Sequence, residues 1–307
     1  MSSVLRSSRL LRLAAAAFLA ALLAGCGAAL RIAYNNSDVA VRYLAHEYFD
    51  LHGDQSEAFK VQLARFHAWH RGEELPKYAA LLENAARRVE HGLAPDDVTW
   101  AIASVRERLK ILTGQAVADA TPVMTMLGPD NVAAFERKLE SNNAKFAKQF
   151  ATGNERKDER ARAKRVRERI EEWTGGLTAE QEALVDAYVA SLPRLTQAQL
   201  EDRKRRQQEL VSILDTYRGK PELAAKVRAF LLDWEAERGP EYKRLASEQE
   251  ARFVQLMVDL DRTLSPKQRT AAVERLRRNA HELRTLAEEG RRRDAPVRAG
   301  EPAGAPG

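Results

Sequence analysis

Apolar residues recur three or four positions apart along almost the whole chain. This spacing places them on one face of an α-helix. One such stripe consists of Val98, Ile102, Val105, Leu109 and Leu112. No run of four to eight alternating or β-branched residues indicates a strand. The pattern predicts an all-α fold, an extended antiparallel bundle of about eight or nine helices joined by short turns.

Several helix starts share one sequence device, in which a leucine precedes a hydroxyl residue and a glutamine follows the hydroxyl residue by three positions. It occurs at residues 177–181, 195–199 and 264–268. The hydroxyl can cap the third amide of the helix, while the glutamine reaches back to the amide of the capping residue. We expect a helix to begin at each of these places. Pro76 lies inside a helical pattern and should kink that helix near Leu75.

Composition and glycine positions divide the chain into five regions. Gly175 and Gly176 form the predicted joint between two helical halves. After Gly290 the chain is rich in Arg, Ala, Pro and Gly, which is typical of a disordered segment. The predicted regions are a signal peptide (1–25), a lipidated tether (26–36), an N-terminal helical region (37–175), a C-terminal helical region (176–290) and a disordered tail (291–307).

The first residues carry Arg6, Arg9 and Arg12 without any acid, and an apolar run rich in Ala and Leu follows over 13–24. These are the positive and apolar parts of a secretory signal. The run ends in Leu-Ala-Gly-Cys at 23–26, which resembles the lipobox of bacterial lipoproteins. Small residues let an extended backbone enter a narrow peptidase cleft, and the thiolate of Cys26 can accept a diacylglyceryl group. We expect cleavage before Cys26 and a lipid anchor on its sulfur.

The alternative is an uncleaved transmembrane helix in which Cys26 has no role. The apolar stretch 13–30 is rich in Ala and Gly, whereas a spanning helix needs about twenty strongly apolar residues. Cys26 is the only cysteine in 307 residues, which favours its use as a lipid acceptor. Gly27 follows it, and in the lipoproteins that this segment resembles an Asp at this position signals retention in the inner membrane. We therefore expect an outer-membrane location, with the body facing the periplasm.

The charge balance does not favour a nucleic acid as partner. The chain has 50 basic and 44 acidic residues, a net charge of +6. Removal of the signal leaves 47 basic residues against 44 acidic ones, a net charge of only +3. The expected partners are the membrane, through the lipid, and an envelope protein or an anionic envelope polymer. The sequence leaves the oligomeric state open.

His67, His70 and Glu74 are spaced by three and four residues, so they share one helical face and could together ligate a metal ion. His70 also continues the apolar stripe of Phe59, Leu63 and Phe66. A half-buried histidine that donates to a neighbouring helix explains the same position. This second interpretation is favoured, because a single H-x-x-H pattern has little specificity for metals.

Residues 155–169 hold eight basic side chains and four interleaved acids. This composition indicates a solvated helix stabilised by ion pairs between successive turns. The alternative is an anion-binding face for lipid phosphate, lipopolysaccharide or cell-wall polymer. Its candidate residues are Arg156, Arg160, Arg162, Arg165 and Arg169.

No catalytic template is visible in the sequence. There is no G-x-S-x-G motif, no Gly-rich phosphate loop and no evident serine–histidine pairing. The sequence therefore predicts a protein without enzymatic activity and without a cofactor.

Two resemblances to known families add to this interpretation. The stretches LRIAYNN at 30–36, HAWHR at 67–71 and ELPKY at 74–78 resemble a family of proteobacterial helical lipoproteins of unknown function. The L-T-x-x-Q form at Leu177 and Leu195 is similar to the signature of Spy and Cpx-type periplasmic chaperones, which shield unfolded clients. The first resemblance covers the mature chain and implies the architecture. The second covers a few residues at each helix start.

These observations predict a lipid-anchored, non-enzymatic interaction or scaffold protein of the bacterial envelope. A chaperone-like binder of unfolded envelope proteins is the alternative, implied by the second resemblance. A metal-dependent enzyme that uses the face of His67 and His70 is the third hypothesis.

Overall fold

The computed structural model describes residues 27–150, 152–193, 196–233 and 238–294. These residues are almost entirely helical and contain no strand, which confirms the predicted all-α helical bundle. Cys26, the signal peptide and residues 295–307 of the predicted tail lie outside the described residues. None of the helices in the described ranges is long and apolar enough to cross a membrane.

The described helices outnumber the predicted eight or nine, because short breaks divide the periodic stretches. One break is the turn at Asn36, and another is a π-helical turn at His70–Glu74. The helices are α1 (Gly27–Asn35), α2 (Ser37–Phe49), α3 (Gly53–Trp69), α4 (Leu75–His91), α5 (Pro95–Met124), α6 (Pro129–Phe150), α7 (Glu155–Thr174), α8 (Ala179–Ser191), α9 (Thr196–Tyr217), α10 (Leu223–Asp233), α11 (Pro240–Thr263) and α12 (Pro266–Asp294).

The helix α12 packs antiparallel along α4, and α1 also packs against α12. The buried side chains shared by these helices are Leu30, Tyr34, Leu75, Ala79, Ala280, Leu283, Leu286 and Ala287. Near its C-terminal end α12 approaches Arg71 so closely that a Cβ at Gly290 would overlap the aliphatic stem of that arginine. Helices from both sides of Gly175 and Gly176 therefore share one core, and these glycines mark the turn between α7 and α8.

The two ends of the body differ from their predicted form. Residues 27–35 of the predicted tether are helical, and Leu30 and Tyr34 are only 1% and 4% exposed. This segment folds because its apolar residues, four positions apart, pack against α12. At the other end α12 continues through Asp294, into the predicted disordered tail. Arginine is a good helix former, so the arginines after Gly290 extend the helix.

Besides a small cluster of Leu51, Val123 and Leu127, two larger cores lie in the rest of the described bundle. One is built by α5, α6, α9 and α10, and the ring of Phe49 from α2 stacks on Phe135 there at a centroid distance of 4.6 Å. The other joins α7, α8 and α11 around Ala163, Val185 and Leu256. The basic helix α7 is thus packed along one side rather than projecting freely.

Two predicted capping boxes are present, and they contact each other. Thr178 accepts from the amide of Gln181 at 3.3 Å, and the glutamine oxygen accepts from the amide of Thr178 at 3.0 Å. Ser265 and Gln268 repeat this arrangement at 3.2 and 3.0 Å. The two glutamine side chains then exchange hydrogen bonds of 3.1 and 2.9 Å in a buried amide pair. The third device, at 195–199, opens α9, and its leucine lies outside the described residues.

The predicted irregularity near Leu75 takes the form of the π-helical turn. The amide of Leu75 donates to the carbonyl of His70, five residues back. Pro76 follows in the first turn of α4, where its missing N–H has the least effect. Proline has no N–H to donate to the carbonyl four residues back. In the wider π-helical turn just before it, the hydrogen bonds reach five residues back, so no α-type hydrogen bond is needed at that position. The turn re-aims the side chains of residues 70–74.

Candidate functional site

Side chains from α1, α3 and the π-helical turn meet around the buried ring of Tyr34. This ring stacks on His67, with centroids 5.9 Å apart and planes at 17°. It also stacks on His70, at 5.7 Å and 20°. The hydroxyl of Tyr34 lies 2.8 Å from Nδ1 of His70. The two histidines that the sequence places on one helical face thus share one aromatic partner from a different helix.

Polar contacts fix the orientation of this aromatic cluster. Ser37 donates its hydroxyl to the carbonyl oxygen of Tyr34 at 2.7 Å, and its Oγ lies 3.3 Å from Nε2 of His67. Because the only hydroxyl hydrogen is already used, Oγ accepts and Nε2 of His67 carries the proton. The guanidinium of Arg71 lies 5.0 Å from the centroid of the tyrosine ring and donates to Oδ1 of Asn35 at 2.7 Å. Ser37 therefore links the end of α1 to His67 on α3, and Arg71 links the π-helical turn to Asn35 on α1.

Glu74 ends the π-helical turn and is 0% exposed. Its Oε1 accepts from Nζ of Lys77 at 2.9 Å and lies 3.4 Å from Nη1 of Arg108 on α5. A buried carboxylate needs such partners, since the loss of its hydration is costly. The ion pair joins the aromatic cluster to α5.

Burial sets the ionisation of the cluster. It lowers the pKa of His70 to about 4, and the adjacent His67 adds to this effect. Burial also lowers the pKa of His67. Burial also raises the pKa of Tyr34 to about 12. The pKa of Tyr78 is raised to about 12 as well, mainly by burial and to a smaller extent by the negative charge of Glu74. At neutral pH these histidines and tyrosines are all uncharged.

The structure does not bring His67, His70 and Glu74 together as a metal-ligand set. Among the described residues, the ligand atoms of these three side chains do not converge within 4.8 Å of one another, and the carboxylate of Glu74 is paired with Lys77 and Arg108. Instead, Nε2 of His67 lies 3.3 Å from Oγ of Ser37, and Nδ1 of His70 lies 2.8 Å from the hydroxyl of Tyr34 on α1. The arrangement stacks aromatic rings and links α1, α3 and α5.

Another group in the described part of the chain does bring possible metal ligands together. One ligand atom from each of His46, Asp50 and His52 lies within 4.8 Å of the others. His46 and Asp50 are four residues apart, but Asp50 and His52 are only two apart, and the set crosses the end of a helix, so the three do not follow one helical periodicity. Sequence reasoning based on helical faces therefore misses them. The signal that could find them is the pattern H-x-x-x-D-x-H.

The candidate anion-binding arginines of α7 do not form one continuous face. At 100° per residue, Arg156 and Arg160 lie on one flank of the buried Ala163, and the other three lie on the opposite flank. On that second flank, Arg162 donates to the hydroxyl of Thr196 at 3.0 Å. The guanidinium of Arg165 lies over the ring of Phe150, and Arg169 pairs with the carboxylate of Glu172.

Comparison with known proteins shows a family but no annotated relative. No curated protein and no solved structure matches the chain. A model described as "Family of unknown function (DUF6279)" matches residues 47–243, well over half of the chain. The matched part includes the π-helical turn and α7, whereas Tyr34 and α12 lie outside it. The chain therefore belongs to the DUF6279 family, whose function is unknown.

Proposed function

We propose that this protein is a lipid-anchored lipoprotein of the bacterial envelope. It is cut before Cys26, acylated on that sulfur and held at the outer membrane with its helical body in the periplasm. The body serves as a non-enzymatic interaction or scaffold protein. The observation that carries the proposal is the lipobox-like sequence at 23–26, directly before a helix that belongs to the folded core.

The geometry of α1 supports an anchor at this position. Leu30 and Tyr34 are buried against α12, and Nε of Arg31 lies 2.8 Å from Oε2 of Glu282. Because α1 begins at Gly27, acyl chains on the preceding residue would be joined to the body without a flexible linker. The folded body would then lie directly against the lipid headgroups.

The outward side of α1 and α2 suits that position. Ile32 is 65% exposed, on the side of α1 opposite Leu30. Val39 and Tyr43 are exposed one turn apart on α2. Apolar and aromatic side chains of this kind are stable at the boundary between headgroups and acyl chains. The membrane is thus the proposed occupant of this surface.

The contacts of the aromatic cluster support an interaction role rather than catalysis. The hydrogen-bond contacts of His67 and His70 reach Ser37 on α2 and Tyr34 on α1, and the carboxylate of Glu74 pairs with Arg108 on α5. Gln181, from the L-T-x-x-Q pattern that resembles the chaperone signature, is buried in the amide pair with Gln268. Its position is explained by helix docking. The proposed partner is an envelope protein or an anionic envelope polymer.

Replacing Cys26 by serine tests the anchor. The variant should lose incorporation of labelled fatty acid and keep its signal peptide or leave the membrane fraction, because a serine hydroxyl is not lipidated. The measurement is metabolic labelling followed by membrane fractionation. Gly27→Asp is the matched control, expected to keep the label but move to the inner membrane. Equal labelling and equal membrane binding of Cys26→Ser would contradict the proposal.

Chemical crosslinking in intact cells tests the interaction role. The lipidated protein should give a discrete adduct of defined mass, retained in the variant His67→Gln, whose amide can still donate to Ser37. Retention is expected because the imidazole is not used for chemistry in this proposal. The absence of any discrete adduct across several crosslinker lengths would contradict the interaction role. Loss of the adduct in a folded His67→Gln variant would contradict the purely structural role of this histidine in the proposal.

A further inference from the structure

The loop between α2 and α3 places three metal-ligating side chains side by side on the surface. His46 lies in the last turn of α2, Asp50 directly follows that helix, and His52 precedes α3. The two imidazole rings meet edge to face, with centroids 5.1 Å apart. Nε2 of His52 lies 3.0 Å from Oδ1 of Asp50. One ligand atom from each residue falls within 4.8 Å of the other two.

The backbone that carries these residues is fixed by contacts independent of the three side chains. Asp50 has φ 50° and ψ 49°, a left-handed conformation that few residues other than glycine adopt. Its amide donates to the carbonyl of His46 at 2.8 Å. Leu51 is buried, and the amide of Asn131 on α6 donates to the carbonyl of Phe49 at 2.7 Å. The loop is therefore preorganised, as ligand-binding loops need to be.

The hydrogen bonding of His46 leaves one ring nitrogen available as a ligand. Its Nδ1 lies 3.1 Å from the carbonyl oxygen of Leu51. Because a carbonyl oxygen only accepts, Nδ1 carries the hydrogen and Nε2 keeps its lone pair when the ring is neutral. Histidines that bind metals usually donate their other nitrogen to a carbonyl or carboxylate in this way. This orients the ring before any ion binds.

We propose that His46, Asp50 and His52 bind one divalent transition-metal ion of the zinc type. Two imidazole nitrogens and one carboxylate oxygen suit such ions, with bonds of about 2.0 to 2.2 Å. Tetrahedral geometry at these bond lengths needs ligand atoms about 3.3 Å apart. Binding would have to draw the three ligand atoms, which now lie within 4.8 Å of one another, to this separation. Three protein ligands leave a fourth position for water or for a group from another molecule.

The contact between Asp50 and His52 does not by itself account for the arrangement. Their side chains are 60% and 71% exposed, and an exposed pair of this kind contributes little to stability. Nor does it involve His46, which faces the same point from α2. Convergence of all three ligands is what a metal ion requires.

Titration of the purified full-length protein with Zn²⁺ tests the site. After treatment with a chelator, calorimetry should show one Zn²⁺ bound per chain at micromolar concentration. Co²⁺ should give the visible absorption of a tetrahedral site with nitrogen and oxygen ligands. Each of His46→Ala, His52→Ala and Asp50→Asn should weaken binding at least about tenfold, since each removes a direct ligand. Asn tolerates the left-handed conformation, so Asp50→Asn removes the charge and keeps the backbone.

The matched control is His91→Ala. His91 is an exposed histidine whose Nδ1 also lies near a backbone carbonyl, that of Arg87 at 2.7 Å. This variant should bind Zn²⁺ like the unaltered protein. Absence of binding below millimolar Zn²⁺ would overturn the proposal. So would undiminished binding by the folded Asp50→Asn variant, or an equal loss in His91→Ala.

Discussion

Replacing Arg108 by alanine should lower the free energy of unfolding by about 3 to 5 kcal/mol. Arg108 is the partner from α5 for the carboxylate of Glu74, and its side chain is itself only 16% exposed. Without it, Lys77 is the cationic partner that the fully buried carboxylate keeps among the described residues. The loss exceeds that expected for a surface ion pair, because the remaining charge cannot regain its hydration. Chemical denaturation monitored by circular dichroism gives the measurement.

Lys77→Ala is the matched control for this prediction. Lys77 contacts the same carboxylate at 2.9 Å but is 49% exposed, so its removal should lower the stability by no more than about 1 kcal/mol. The double variant Glu74→Leu/Arg108→Met should recover much of the loss, because apolar side chains of similar volume can replace a buried ion pair. Equal effects of the two single substitutions would show that Glu74 is more hydrated than the structure indicates.

The helices could be predicted from the sequence because their signals are local. The stripe from Val98 to Leu112 lies on α5, and the capping boxes at Thr178 and Ser265 begin α8 and α12 as expected. The contact between Gln181 and Gln268 joins residues 87 positions apart. A local pattern carries no information about such a pairing, since it depends on how distant helices pack.

The candidate site could be predicted only in part for the same reason. The spacing of His67 and His70 correctly places both on one side of a helix. Their partner Tyr34 comes from α1, which lies in the segment predicted to be a tether. Helix α1 forms through packing on α12, at the opposite end of the chain. Short helices depend on such tertiary contacts more than on their own propensity.

The basic segment shows a limit of composition as evidence. Eight basic residues in 155–169 suggest one charged surface. The turn of the helix distributes them to both flanks of a buried stripe around Ala163 and Val166. Arg167 illustrates the result, since its Nη1 pairs with Asp186 on α8 at 2.6 Å. The number of charged residues in a segment does not show which side of its helix packs against other helices.

Lowering the pH from 7 to 4 should destabilise the protein through His70, by about 3 kcal/mol once the pH reaches 4. Burial lowers the pKa of this histidine to about 4 in the folded state, whereas the unfolded chain has the ordinary value of 6.5. Between these values the unfolded state binds more protons, so the stability present above pH 6.5 is lost as the pH falls towards 4. Burial also lowers the pKa of His67, which adds to the loss with the same sign. Urea denaturation at a series of pH values measures this slope.

The variant His70→Gln should flatten this dependence, because the glutamine oxygen can accept from the hydroxyl of Tyr34 but does not titrate. His91→Gln is the control, since His91 is exposed and lies outside the cluster. It should leave the slope of stability against pH unchanged. An unaltered slope in a folded His70→Gln variant would mean that His70 is already hydrated in the native state. In that case the stacking of α1 on the π-helical turn would be looser than the 2.8 Å contact between Tyr34 and His70 implies.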